Sequence, residues 1–215
     1  MKPPCVKNGW LSSVVVGVDG SEGARLGGRG DPGEDAAEDD EDQRERRQHH
    51  LRHLPRERVT PVVTVARPGP LNDRLREIDG VEVLGHKRIQ WIKHDRRSPL
   101  KRLGDILTLL VSALPRAGQL ARMIRQHHID LVHTNSAVSL EGALAARMAG
   151  VPHVWHIREL FMAENPKLNP TLGRRLTRWL IARLSARVIC ISQAVARQFE
   201  PERSRNPDKF PLIHN

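Results

Sequence analysis

The chain has no tyrosine at all and only 3% aromatic residues, which argues against the stacking platforms that hold single-stranded nucleic acid. Cysteine is nearly as scarce. Cys5 and Cys190 are the two present, and neither has a CxxC partner, so a disulfide framework and a cysteine-built zinc site are excluded. No apolar run approaches the ~20 residues of a membrane-spanning helix, the best being Ile106 to Leu114. The amino terminus also lacks the basic start, apolar stretch and small-residue cleavage site of a secretory signal. A cytoplasmic location is the expectation.

What the chain has in excess is positive charge, and it is unevenly placed. Residues 1 to 50 hold 7 Lys and Arg against 11 Asp and Glu, leaving 28 against 14 in residues 51 to 215. A basic domain attracts anionic lipid, phosphorylated small molecules or nucleic acid, and charge alone does not choose among them. No nucleic-acid motif accompanies the charge, so nucleic acid is disfavoured. The stretch Gly20 to Gly33 and the acidic tract Asp31 to Asp42 are too poor in core-forming residues to offset chain entropy, and residues 1 to 50 read as a low-complexity, disordered segment. Within it only Leu11 to Val18, with three consecutive valines, reads as a strand.

From about residue 58, strands alternate with helices. Strands are expected at Thr60 to Ala66, Val81 to Leu84, Ile89 to Ile92, Ile129 to His133, Val151 to Ile157, Val188 to Ile191 and Phe210 to His214. Helices are expected at Leu71 to Ile78, Leu100 to His127, Leu140 to Met148, Thr171 to Arg187 and Gln193 to Phe199, with Pro115 marking a kink or break in the long one. Such alternation predicts an α/β, Rossmann-like, doubly wound parallel sheet. Ligands then sit beyond the carboxyl ends of the strands. The residues at those ends are His133, Thr134 and Asn135, then His156, Arg158 and Glu159, then Ser192, and finally His214 and Asn215.

Three of these stretches carry a resemblance. DLVHTNSAVSLEGALAARMAGVPHVWHIRE (Asp130 to Glu159), ARVICISQAVARQF (Ala186 to Phe199) and PLIHN (Pro211 to Asn215) resemble, in order and spacing, the amino-terminal half of family-4 glycosyltransferases of the GT-B type. The resemblance covers residues 51 to 215. It implies one half of a GT-B fold and a retaining transfer of sugar from a nucleotide-sugar co-substrate to an unidentified acceptor. No further cofactor and no obligatory metal ion are implied. Such enzymes open with a strand and a Gly-Gly-x-Glu loop, whereas here Gly27-Gly28 runs into Arg29-Gly30 and the acidic tract. Residues 51 to 59 resemble the tail of the helix that follows that loop. A wrong start or shifted frame over residues 1 to 50 is therefore expected, with the first strand lost. The donor-binding second domain would follow Asn215, so the chain reads as an incomplete enzyme, inactive without its other half. Self-association through the exposed sheet edge is a further expectation.

The resemblance makes His156 the candidate catalytic residue, hydrogen-bonding a sugar hydroxyl or donor phosphate. Arg158 would pair with phosphate or with Glu159; Glu159 would orient His156 or bind an acceptor hydroxyl, a plain ion pair being the simpler alternative. Asn135 would contact substrate or make a turn. Ser192 is most simply a helix cap, though the amides it caps can also meet an anion. His153 and His156 fall on opposite faces of one strand, which argues against a metal shared with His133. Helix Thr171 to Arg187 places Leu172, Leu176, Trp179, Leu180 and Leu184 on one face and Arg174, Arg175, Arg178 and Arg183 away from it. It is either an ordinary sheet-covering helix or one that lies on an anionic membrane surface. A non-catalytic module binding such a membrane or a partner protein is the competing reading of the whole chain.

Overall fold

In the computed structural model the described residues are Ser13–Val18, as backbone, and residues 59–65, 70–86, 90–93, 98–162 and 168–214. Expectations for the acidic tract, for residues 51 to 58 and for Asn215 lie outside them. The strands are β1 (Ser13–Val18), β2 (Thr60–Val65), β3 (Glu82–Gly85), β4 (Ile92–Lys93), β5 (Leu131–Asn135), β6 (His153–Ile157), β7 (Asn169–Pro170) and β8 (Arg187–Cys190). The helices are α1 (Pro70–Arg76), α2 (Pro99–Gln126), α3 (Glu141–Ala149), α4 (Arg174–Leu184), α5 (Gln193–Arg197) and α6 (Glu200–Arg203).

Six strands form one parallel sheet in the order β3-β2-β1-β5-β6-β8. The chain leaves β1 outward through β2 and β3, then crosses back to continue from β5 on the other side. That reversal makes β1/β5 the topological switch point of a doubly wound sheet, beside which such folds hold ligands. The expectation of a lost first strand is corrected here: Ser13–Val18 fills that place, Val16 aligning with Val63 on one side and His133 on the other. A near-continuous β-branched run suits a strand in the middle of a parallel sheet.

Helix α2 is one helix of 28 residues, and Pro115 does not break it. Val111 and Pro115 are both exposed, a setting in which the carbonyl deprived of its amide partner by the proline can turn to solvent. Ser98 caps the start, its hydroxyl accepting from the Lys101 amide, with Pro99 in the first turn. The second half packs Ala117, Leu120, Ala121 and Ile124 against Val62 and Val132 of the sheet and Ala145 and Ala146 of α3. Leu109 and Ala113 of the first half instead join a second cluster with Trp91, Ala137 and Val138, past the carboxyl end of β5. At 1.5 Å per residue α2 is about 42 Å long, against roughly 13 to 20 Å for the strands. Its first half therefore overhangs the carboxyl edge.

Smaller differences have local causes. The strand expected at Ile89 to Ile92 shrinks to β4, which pairs antiparallel with β7 in the loop before α4. Phe210 to His214 contributes a single bridge, Cys190 to Leu212, because Phe210 turns into the core beside Phe199. Helix α4 is shorter than expected and rolled: Thr177, Ile181 and Ala182 face inward, while Leu176 and Trp179 are exposed. Arg178 is drawn from the solvent face into an ion pair with Glu202, 2.9 Å away.

Candidate functional site

The carboxyl edge at β5 and β6 is built around the loop that follows β5. Glu159, two residues past β6, points its carboxylate at that loop. One oxygen accepts from the Ser136 hydroxyl; the other accepts from the amides of Ala137, at 2.9 Å, and Arg158, at 3.1 Å. The Trp155 indole donates to the Ser136 carbonyl and the Trp91 indole to the Ala137 carbonyl, both at 2.7 Å. The two indoles stack with centroids 6.0 Å apart. From below, the Gln198 amide nitrogen donates to the Glu159 carbonyl at 2.9 Å, and its oxygen accepts from the amides of Phe161 and Met162. These bonds hold both strand-end loops in one conformation, as a preorganised site requires.

Side chains alternate along the strands, so β5 and β6 present two different surfaces. On one, the rings of His133 and His156 stack at 5.7 Å and 12°. Asn135 aligns with His156 across the pair. All three are half-buried, and the Asn135 side-chain oxygen is sheltered with no hydrogen-bond partner among the described residues. Such an acceptor invites a hydroxyl or amide donor from a ligand.

The opposite surface holds His153, which is fully buried. Its Nε2 lies 2.9 Å from the Thr134 hydroxyl and its Nδ1 3.3 Å from the Ser185 hydroxyl. Ser185 already donates its one proton to the Ile181 carbonyl. Nδ1–H therefore donates to Ser185 and Nε2 accepts from Thr134, a neutral imidazole with both nitrogens used. Burial, with a smaller contribution from His133, lowers its pKa to about 3. His153 is thus structural and turned away from His133 and His156. No group of three or more His, Cys, Asp or Glu among the described residues is placed to hold a metal ion.

The structure brings Asn135, His156 and the Glu159-held loop together at one edge. Arg158 stands half-buried directly after β6. Glu159 spends its carboxylate on the loop. Ser192 caps α5, its hydroxyl accepting from the Val195 amide at 3.3 Å, and a five-residue helix offers little dipole for an anion. Sequence reasoning missed Ser136, Trp91, Trp155 and Gln198. Trp155 and Trp91 had a usable signal, each a tryptophan in an expected strand whose N–H must find an acceptor once buried.

A protein-family model of Glycosyltransferase Family 4 matches residues 48–215. The chain belongs to Glycosyltransferase Family 4. No curated protein matches it in sequence. Among solved structures, HepE of Anabaena in complex with UDP and glucose superimposes with a TM-score of 0.58 at 17% identity, covering 95% of this chain and 44% of HepE. MnaA of S. aureus, solved with UDP, gives 0.54 at 12% identity over 94% of this chain and 43% of MnaA. A putative UDP-N-acetylglucosamine 2-epimerase from Listeria monocytogenes gives 0.53 at 11%, over 93% of this chain and 44% of the epimerase. The chain spans less than half the length of each. At these identities the likeness concerns the fold, the Rossmann-like half of a GT-B architecture. No helix among the described residues of this family-4 chain is long and apolar enough to cross a membrane.

Proposed function

We propose that this family-4 chain is the acceptor-side half of a retaining glycosyltransferase, moving a sugar from a nucleotide-sugar donor to an acceptor that becomes part of a polysaccharide or glycolipid. The observation that carries the reading is the Asn135 oxygen beside His156, without a hydrogen-bond partner among the described residues and near the switch point of a sheet whose strand-end loops are braced by hydrogen bonds. UDP bound to HepE and MnaA supports a uridine nucleotide as donor. In this reading His156 and Asn135 hydrogen-bond the sugar, Arg158 offers charge to the diphosphate, and the donor is gripped mainly by a second domain. Ser192 acts through the strand-end turn it caps. Glu159, engaged by three donors, contributes by holding the loop and is not a nucleophile. That fits a retaining transfer that does not recruit a pair of enzyme carboxylates.

Exposed Leu176 and Trp179, with Arg175 and Arg183 on the same helix, support contact with the inner membrane face, where a lipid-linked acceptor would be met. The test is transfer from UDP-glucose by the chain alone and by the chain joined at Asn215 to the donor-side half of a family-4 enzyme. Activity is expected only in the joined protein, with the product keeping the donor's anomeric configuration by NMR. Turnover by the chain alone, or inversion, overturns the corresponding part of the proposal.

A further inference from the structure

The overhanging half of α2 carries a seam with no evident use in sugar transfer. Leu100, Leu103, Leu107, Leu110 and Leu114 follow one another at spacings of three, four, three and four residues. This is the a/d repeat of helices that pack knobs into holes. All five, with Val111, lie on the surface, from 52% exposed at Leu103 to 80% at Leu100. The core-facing side of the same turns is a different stripe, Leu109 and Ala113. In the second half of the helix the seam's side is taken up by α3, which packs on Ala117 and Ala121. Toward the amino end α3 has ended and the stripe continues bare.

We propose that this seam is a self-association surface on which α2 of a second copy of the chain packs, forming a twofold dimer. Three observations select that occupant. The six side chains present roughly 600 Å² of apolar surface, at the upper limit of what a monomer leaves bare and close to the ~800 Å² each partner gives a stable interface. The positions flanking the seam, Gly104 and Val111 on one side and Ile106 and Ala113 on the other, carry no charge, so two identical helices meet without repulsion. Between Leu103 and Pro115 the one charged residue is Asp105, which pairs with Lys93 at 3.9 Å. A helix built to lie on an anionic membrane carries Lys or Arg along its margins; here Lys101 and Arg102 border only the first turn of the seam, and the turns from Leu103 to Pro115 have none. The contact uses a helix face and leaves the sheet edge out.

Sedimentation equilibrium of the full 215-residue chain, from about 1 to about 100 µM, tests the proposal, since a dimer's mass must depend on concentration. The expected result is twice the chain mass. Leu107→Glu sets two unpaired carboxylates in the middle of the seam and is expected to weaken the dimer about 100-fold or more. Its circular-dichroism melt should match that of a monomeric chain, because Leu107 lies outside the core. Leu110→Lys gives the same test with the opposite charge, and Arg122→Glu, exposed two turns beyond the seam, should leave the dimer intact. A wild-type chain that stays monomeric throughout overturns the proposal, as does a dimer indifferent to both seam variants. A monomer that instead floats with anionic vesicles, and loses this on Leu107→Glu, assigns the seam to lipid and overturns it equally.

Discussion

His153 makes the stability of this domain depend on pH in a defined direction. Its neutral ring is bonded at both nitrogens, to Thr134 and Ser185, and its pKa of about 3 in the folded chain compares with 6.5 for a free histidine. On acidification the unfolded chain takes up the proton first. The contribution is therefore complete above pH 6.5 and lost as pH falls from 6.5 toward 3. One such group changes stability by up to about 1.4 kcal/mol per pH unit, so roughly 2 kcal/mol should disappear between pH 6.5 and 5. The assay is urea unfolding followed by circular dichroism at pH 7.5, 6 and 5, for the wild type and His153→Gln. The variant should be less stable at pH 7.5 by about 1 to 3 kcal/mol, from imperfectly replaced buried hydrogen bonds. That deficit should shrink by about 2 kcal/mol at pH 5, because the variant has no imidazole left to protonate. His86, whose pKa burial and then Arg116 also lower, acts alike in both proteins and cancels in the difference. Parallel pH profiles would refute the assignment of His153 as a buried neutral residue.

Two further substitutions probe the supports of the site. A Cβ at Gly142 would collide with the Thr134 hydroxyl that serves His153, so Gly142→Ala should cost about 1 to 3 kcal/mol, read as a lower thermal midpoint; an unchanged midpoint would contradict the close approach of α3 to β5. Gln198→Leu removes the acceptor of two amides and the donor to the Glu159 carbonyl. It should cost about 2 to 3 kcal/mol and speed hydrogen exchange at Phe161 and Met162, and unaltered exchange there would count against its bracing role.

Much of the fold could be read from local pattern. The strand at His153–Ile157 and the helix stopped at Gly150, which takes a left-handed φ of 80°, declare themselves through alternation and capping. Ser13–Val18 declared itself as a strand, but its place in the middle of the sheet depends on partners about 50 and about 120 residues away, which no local window contains. Pro115 left a kink and a break as equal readings, and only the break is excluded, because what a proline does to a helix depends on its tertiary surroundings. That the candidate residues sit at strand ends was legible. What each does was not, since Glu159 meets Ser136 and Gln198 across 23 and 39 residues of sequence. The leucine repeat in α2 is visible as apolar periodicity, but spacing alone does not say which of two apolar stripes the domain covers.

The position of β1 has a consequence for how the protein can be made. Its six residues are the sole described ladder between β2 and β5, so they join the pair β2–β3 to the trio β5–β6–β8. A polypeptide initiated at the next methionine, Met123, would lack β1, β2 and β3 together and keep only the trio β5–β6–β8, with β5 as a raw edge. During synthesis β1 emerges first and must wait for Leu131–Asn135 before its second edge closes, an interval in which the valine-rich strand is open to wrong partners.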